Sequence, residues 1–160
     1  MKTAVVIPAF NESRQVRAVV MGVKSYVDMV VVVDDGSIDD TAVQALSVGA
    51  MVLRHIVNRG QGAALKTGID YALGQGADVI ITFDSDGQHD PADIPLLLQA
   101  LKSGQYEVAL GSRFLSTVSN VPWLRRLVLK VGVLFTKIVS GIKVTDTHNG
   151  LRALSAQAAE

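Results

Sequence analysis

Asp84-Ser85-Asp86 ends the apolar run Val79-Ile80-Ile81-Thr82-Phe83. In an extended chain, residues two apart point to the same side, so both carboxylates can address one point. Two carboxylates that close destabilise each other unless a cation lies between them. Hard oxygen ligands of this kind suit Mg²⁺ or Mn²⁺, which keep several waters and share substrate phosphates. Gln88, just beyond, can add a neutral oxygen. An EF-hand is excluded, because Gly87 stands at the fourth position of the loop and Pro95 where the bidentate glutamate belongs. The same residues also make an ordinary Asp-Gly turn; their position at the end of a buried run favours the metal.

A second acidic pair, Asp34-Asp35-Gly36-Ser37, closes Val30-Val31-Val32-Val33. A carboxylate here can accept hydrogen bonds from a base N–H or a ribose hydroxyl, while Ser37 or Asp39 can cap the helix that follows. The third cluster, Asn58-Arg59-Gly60-Gln61-Gly62-Ala63-Ala64-Leu65-Lys66, is not a P-loop, since Leu65 replaces the glycine before the lysine. It reads equally as an anion-binding helix N-terminus with Arg59 nearby or as a tight turn that needs positive φ. Asn11-Glu12 and Gly111-Ser112-Arg113 follow two further apolar runs. His148 could be a further metal ligand, but it reads, like His55 and His89, as a solvated turn residue.

The elements that must carry these clusters alternate. Ala4–Ile7, Met29–Val33, Met51–Arg54, Val79–Phe83 and Glu107–Leu110 read as strands. Val16, Val19, Val20 and Val23 mark one helix face; Leu65, Ile69, Ala72 and Leu73 mark another, and Ile94, Leu97, Leu98 and Leu101 a third. Thr41–Leu46 is a shorter helix capped by Asp39 or Asp40. Continuously apolar strands are buried on both faces, and strand–helix alternation implies right-handed crossovers. The fold class is therefore α/β, a mostly parallel sheet sandwiched by helices. Ligands of open α/β sheets bind outside the carboxyl ends of the strands, so these polar clusters describe one site.

Composition bounds the function. Fifteen Lys and Arg balance fifteen Asp and Glu, which excludes a wholesale electrostatic binder of nucleic acid. A hydrophobic content of 49% with 19% charged residues excludes intrinsic disorder. The absence of cysteine removes disulfides, zinc–thiolate sites and thiol catalysis, and is compatible with a reducing cytosol. The short run ending at Pro8 reads as a first strand rather than a signal peptide. No uncharged apolar stretch approaches the roughly 18 residues of a membrane span.

Taken in order, Pro8-Ala9-Phe10-Asn11-Glu12, Asp34-Asp35-Gly36-Ser37-x-Asp39-x-Thr41, Asn58-x-Gly60-x-Gly62-x-Ala64, Asp84-x-Asp86-x-Gln88, Gly111-Ser112-Arg113 and Asp146-Thr147-His148-Asn149-Gly150-Leu151-Arg152-Ala153 resemble a family 2 glycosyltransferase of the dolichyl- or polyprenyl-phosphate mannosyl/glucosyltransferase branch. The resemblance covers essentially the whole chain. It implies a GT-A nucleotide-diphospho-sugar transferase fold and inverting transfer of a hexose from a nucleotide-sugar donor. By matching positions, Pro8, Phe10, Glu12, Val33 and Asp35 would line base and ribose, with Arg59, Gly60, Lys66, Asp84 and Ser85 completing the donor site. Asp84, Asp86 and Gln88 would hold Mg²⁺ or Mn²⁺, and Arg113 and Arg152 would face phosphate groups. With a polyprenyl-phosphate acceptor the attacking oxygen is already anionic and needs cationic clamps. A saccharide or protein hydroxyl would need a general base, for which Asp146 is the best remaining carboxylate. The catalytic set is thus Asp86, Asp146, Arg113 and Arg152. A non-catalytic nucleotide-sugar-binding module is the reading from outside the enzymes.

Residues 121–144 carry an apolar helix pattern with Arg126, Lys130 and Lys137 on a narrow stripe and Trp123 at one end. That pattern suits an amphipathic helix in a membrane interface, with a core helix or a homo-oligomer face as the alternatives. The expected location is cytoplasmic, at the inner membrane face. Domains of this family usually continue past Gly150–Ala153 with further helices. Here Leu154–Glu160 reads as the start of a helix, so either the chain is a fragment or the single catalytic domain, residues 1–160, is C-terminally short.

Overall fold

The computed structural model describes residues 1–111 and 150–160. Met1–Ala109 with Leu151–Glu160 make one compact unit and Leu110–Gly150 a second, described only at its ends. The strands are β1 (Thr3–Ala9), β2 (Met29–Asp34), β3 (Met51–Arg54), β4 (Val79–Thr82), β5 (Val108–Leu110) and β6 (Arg152–Ser155). The helices are α1 (Val16–Val23), α2 (Thr41–Ser47), α3 (Gln61–Gly74), α4 (Ile94–Lys102) and a closing turn, α5 (Ala156–Ala159). One sheet orders its strands β3-β2-β1-β4-β6-β5. Neighbours β3, β2, β1 and β4 run parallel, and β6 runs against β4.

Every residue of β1 is buried, because helices cover both faces of the strand. Val5, Ile7 and Ala9 join a core with Val16, Val19, Val20 and Val23 of α1 and Ile94, Leu97, Leu98 and Leu101 of α4. Ala4 and Val6, on the alternate side, join Val31, Val33, Ala64 and Ala72. The expected faces of α1 and α4 are thus the buried ones. On α3 the fully buried line is instead Ala64, Gly68 and Ala72, with Leu65, Ile69 and Leu73 only partly buried beside it. A Cβ on Gly68 would lie 2.4 Å from Val6 Cγ1, so the small residues let α3 approach the sheet closely.

Register decides where the loops leave. Ala9 pairs with Asp34, so β1 and β2 end level. Asp34 pairs in turn with Arg54 at the end of β3, and the Phe83 amide still donates to the Val6 carbonyl just past β4. Four loops therefore emerge side by side at the carboxyl end.

Leu154 and Ser155 do not open a helix. They complete β6, in which Arg152 pairs with Thr82 and Ser155 with Val79. Leu151 and Ala153 are buried in the α1/α4 core, and β6 gives the apolar β4 its second neighbour. The closing turn starts one residue later, where the Ser155 hydroxyl accepts from the Ala158 amide. Arg113, Asp146, His148 and the 121–144 segment lie outside the described residues. Among the described residues no helix is long and apolar enough to cross a membrane.

Candidate functional site

The four loops enclose an open pocket of about 420 Å³. Pro8, Ala9, Phe10 and Glu12 line it from β1 and its loop, Asp35 from the end of β2, Asn58 and Gly60 from the turn before α3, Gln61 and Ala64 from its first turn, and Asp84, Ser85 and Asp86 from the end of β4. Phe10 is 45% exposed at this rim, an aromatic face open to a ligand.

The first two loops are laced together. Asn11 adopts φ 56°, a left-handed conformation that Asn tolerates better than most residues. Its amide donates to the Ser37 hydroxyl and its Oδ1 accepts from the Ile38 amide. The Glu12 amide donates to Thr41 Oγ1, and the Ser13 amide to Asp39 Oδ2. Asp39 also accepts from the Thr41 amide and, through a short contact, from the Thr41 hydroxyl. Neither Asp40, at the N-cap of α2, nor Ser37 caps that helix by its side chain. The motif instead clamps the Glu12 loop. Burial pushes the Asp39 carboxyl up, but the bonds from Thr41 and Ser13 outweigh it and hold it at about 2.

Asp35 organises the third loop. Its Oδ1 accepts from the Arg59 amide at 3.0 Å and lies 2.6 Å from His55 Nδ1; its Oδ2 accepts from the Gly60 amide at 2.7 Å. Burial raises this carboxyl, yet the Arg59 amide, the His55 ring and the Gly60 amide together hold it below the ordinary range. The glycine-rich turn therefore spends two of its amides on a protein carboxylate rather than on a ligand anion. Gly36, at φ +77°, makes this possible, since a Cβ there would sit 2.7 Å from the Asn58 nitrogen.

At the end of β4, Asp84 Oδ2 accepts from His89 Nε2 at 2.9 Å and Oδ1 from Gln61 Nε2 at 3.0 Å. The His89 bond, opposed by burial and helped by the His89 charge, Arg152 and Gln61, keeps this carboxyl below its usual value. Asp86 is exposed and accepts the Gln88 amide on Oδ1. The Glu12 carboxyl is pushed up by burial and then by the charges of Asp86 and Asp39. That crowding of negative charge in one pocket is what a divalent cation relieves. Among the described residues no three acidic or histidine side chains are grouped to hold a metal ion. A cation here would take Asp84 and Asp86 and fill its other positions with water and ligand oxygens, as Mg²⁺ does.

The structure thus brings Pro8, Phe10, Glu12, Asp35, Gly60, Asp84, Ser85 and Asp86 around one pocket. Arg152, on β6, reaches Asp84 through its charge. Val33 does not line the pocket, since it is fully buried against α3. Lys66, farther along α3, is ion-paired with Asp70, and Arg59 contributes its amide while its side chain is exposed and off the pocket wall. Gln88 is exposed and also off that wall. Two histidines are not solvated turn residues. His55 is 9% exposed, and His89 packs edge-on to Phe83 with ring centres 5.5 Å apart. These two, and the part of Gln61 as a donor to Asp84, are what sequence reasoning missed. His89 follows the Asp84–Asp86 cluster closely in sequence, which was its signal, whereas no acidic residue lies between Asp40 and Asp70 to mark His55.

Residues 4–160 match the family model described as glycosyl transferase family 2. The chain belongs to glycosyl transferase family 2. An uncharacterized protein of Methanocaldococcus jannaschii is 42% identical to the family 2 chain over 160 residues, covering 98% of this chain and 65% of its own length. The UDP-N-acetylglucosamine–dolichyl-phosphate N-acetylglucosaminyltransferase of Methanococcus voltae is 34% identical, covering 96% and 69%. The polyprenol monophosphomannose synthase of Mycolicibacterium smegmatis is 33% identical, covering 99% and 63%. The resemblance to the polyprenyl-phosphate branch therefore holds, and the family 2 chain spans about two thirds of these relatives' lengths. In fold it is similar to the glucosyl-3-phosphoglycerate synthase of Mycobacterium tuberculosis, crystallised with Mn²⁺, UDP-glucose and phosphoglyceric acid. The TM-score is 0.74 at 24% identity, covering 98% of this chain and 57% of that one. The expected GT-A fold is borne out.

Proposed function

We propose that this chain is the nucleotide-sugar-binding and catalytic part of a metal-dependent, inverting glycosyltransferase that moves a hexose onto a polyprenyl (dolichyl-type) phosphate. The observation that carries the reading is a pocket at the carboxyl ends of β1, β2 and β4, with Asp35 at one wall and Asp84 and Asp86 at the other. The names of the Methanococcus voltae and Mycolicibacterium smegmatis relatives support the acceptor class.

In this reading Pro8 and Phe10 pack against the donor's base and Asp35 takes a ribose hydroxyl. Bound to Asp84 and Asp86, Mg²⁺ or Mn²⁺ would supply Lewis-acid stabilisation of the departing nucleoside diphosphate. His89 and Gln61 hold Asp84 in one orientation before ligand arrives, which removes a reorganisation cost from binding. The acceptor phosphate oxygen is anionic, so it attacks the anomeric carbon without a base. A new carbon–oxygen bond forms as the bond to the diphosphate breaks, with inversion. Arg152 and Arg113 would neutralise phosphate charge by planar, paired hydrogen bonds. The 121–144 segment would be the part that meets the membrane interface at the cytoplasmic face.

Transfer from labelled nucleotide-sugars tests this. The expected product is a lipid-linked sugar formed with Mn²⁺ and polyprenyl phosphate together, and lost with EDTA. Transfer only to a soluble saccharide or peptide would replace the acceptor and bring Asp146 forward as base. Donor binding without turnover would make the chain a binding module.

A further inference from the structure

His55 leaves β3 pinned at three points. Its amide donates to the Asp34 carbonyl at 2.9 Å. Its Nδ1 lies 2.6 Å from Asp35 Oδ1 and its Nε2 3.0 Å from Thr67 Oγ1. Thr67 lies on α3, its hydroxyl 3.0 Å from the Ala63 carbonyl, so the ring bridges the end of β3 to that helix. A contact of 2.6 Å between a ring nitrogen and a carboxylate oxygen needs a proton between them, and Asp35, which accepts two backbone amides, is the ionised partner. Nδ1 is therefore the donor.

The lone pairs of Asp35 can then be counted. A carboxylate offers about four acceptor positions, two on each oxygen. Oδ1 spends both, on His55 and the Arg59 amide; Oδ2 spends one, on the Gly60 amide. Among the described residues, one position, on Oδ2, is left for a donor from the pocket that Asp35 lines. The two backbone amides belong to a surface turn, whereas the buried ring is anchored at both nitrogens. Without the ring, the carboxylate can rotate about its Cβ–Cγ bond and both oxygens compete for the amides.

We propose that His55 is a positioning residue for the donor's nucleoside: by donating from Nδ1 to Asp35 it leaves a single oriented acceptor on Oδ2 for a ribose hydroxyl or base N–H. The inference rests on the donor-site reading above and goes beyond it, since His55 does not line the pocket.

Two substitutions of the same branched shape separate positioning from packing. His55→Asn keeps an N–H donor near the Nδ1 position, and His55→Leu replaces that amide by two methyl groups with no donor. Affinities for UDP and for GDP, each with Mn²⁺, are measured by calorimetry beside urea unfolding of every variant. His55→Leu is expected to lose about tenfold or more in affinity, the order for a lost hydrogen bond to a charged acceptor. His55→Asn should recover most of that loss even where its stability is no higher than that of His55→Leu. If His55→Leu does not fold, His55→Gln, whose amide reaches the Nε2 side instead, serves as the comparison. Affinities equal to wild type in the variants without a donor to Asp35, or losses that follow stability alone, overturn the inference and leave the donor site standing. A wild-type chain that binds neither nucleotide overturns the donor reading and the inference with it.

Discussion

Gly68→Ala tests the packing that brings α3 to the sheet. The added Cβ would sit 2.4 Å from Val6 Cγ1 and 3.0 Å from Val33 Cγ2. Both valines are fully buried, and β-branched side chains are stiff at χ1, so neither can turn aside. Overpacking of a tight core costs about 1–3 kcal/mol, and a contact this short belongs near the upper end. Alanine returns roughly 1 kcal/mol through its better helix propensity. The net is a destabilisation of about 1–2 kcal/mol, although propensity alone favours the substitution. With a urea slope of about 2 kcal/mol/M, the unfolding midpoint should fall by roughly 0.5–1 M with little change in far-UV circular dichroism. Val6→Ala removes the atom that clashes, so the double variant should be more stable than the sum of the single losses by on the order of 1 kcal/mol. A Gly68→Ala chain as stable as wild type, or strictly additive losses, would refute the close approach of α3.

Asp39 predicts a pH dependence. Its folded value, about 2, lies below the ordinary 3.8, so the clamp contributes fully above roughly pH 4 and is lost as pH falls towards 2. Unfolding midpoints of wild type and Asp39→Asn, followed from about pH 6 downward, should converge over that interval; a constant gap would refute the assignment. Asp86→Asn should weaken Mn²⁺-dependent nucleoside-diphosphate binding by at least about tenfold with an unchanged circular dichroism spectrum. Asp86 is exposed, and the asparagine oxygen can still accept the Gln88 amide. The same variant should lower the Glu12 carboxyl towards its ordinary value, because the Asp86 charge is one cause of its rise. Undiminished Mn²⁺-dependent affinity would remove Asp86 from the metal site.

Much of the molecule was legible because its signals are local. Valines at 16, 19, 20 and 23 can share one face only on a helix, and that face is the buried one. Runs such as Val30–Val33 have no polar face to offer water, so they imply a sheet covered on both sides, with polar clusters gathered at one end. Those clusters, in their order, also identify the family.

What stayed hidden depends on which partners the folded chain brings within reach. Arg152–Ser155 is too short and mixed to declare itself a strand. It becomes one because β4 offers its free edge, pairing Val79 with Ser155 and Thr82 with Arg152, while Leu151 and Ala153 sink into an apolar core. A histidine's type does not say whether it meets water or a carboxylate, and His55 and His89 acquired roles only when folding set Asp35 and Asp84 beside them. Lys66 carries a charge that suits a phosphate, yet its ammonium went to Asp70, and the turn amides of Arg59 and Gly60, which could have met an anion from solution, went to Asp35. Periodicity and residue chemistry determined the elements and the end of the sheet where the site lies. The tertiary structure decided which donors and acceptors are spent within the protein and which remain for a ligand, because a hydrogen bond's partner is set by distance in space rather than along the chain.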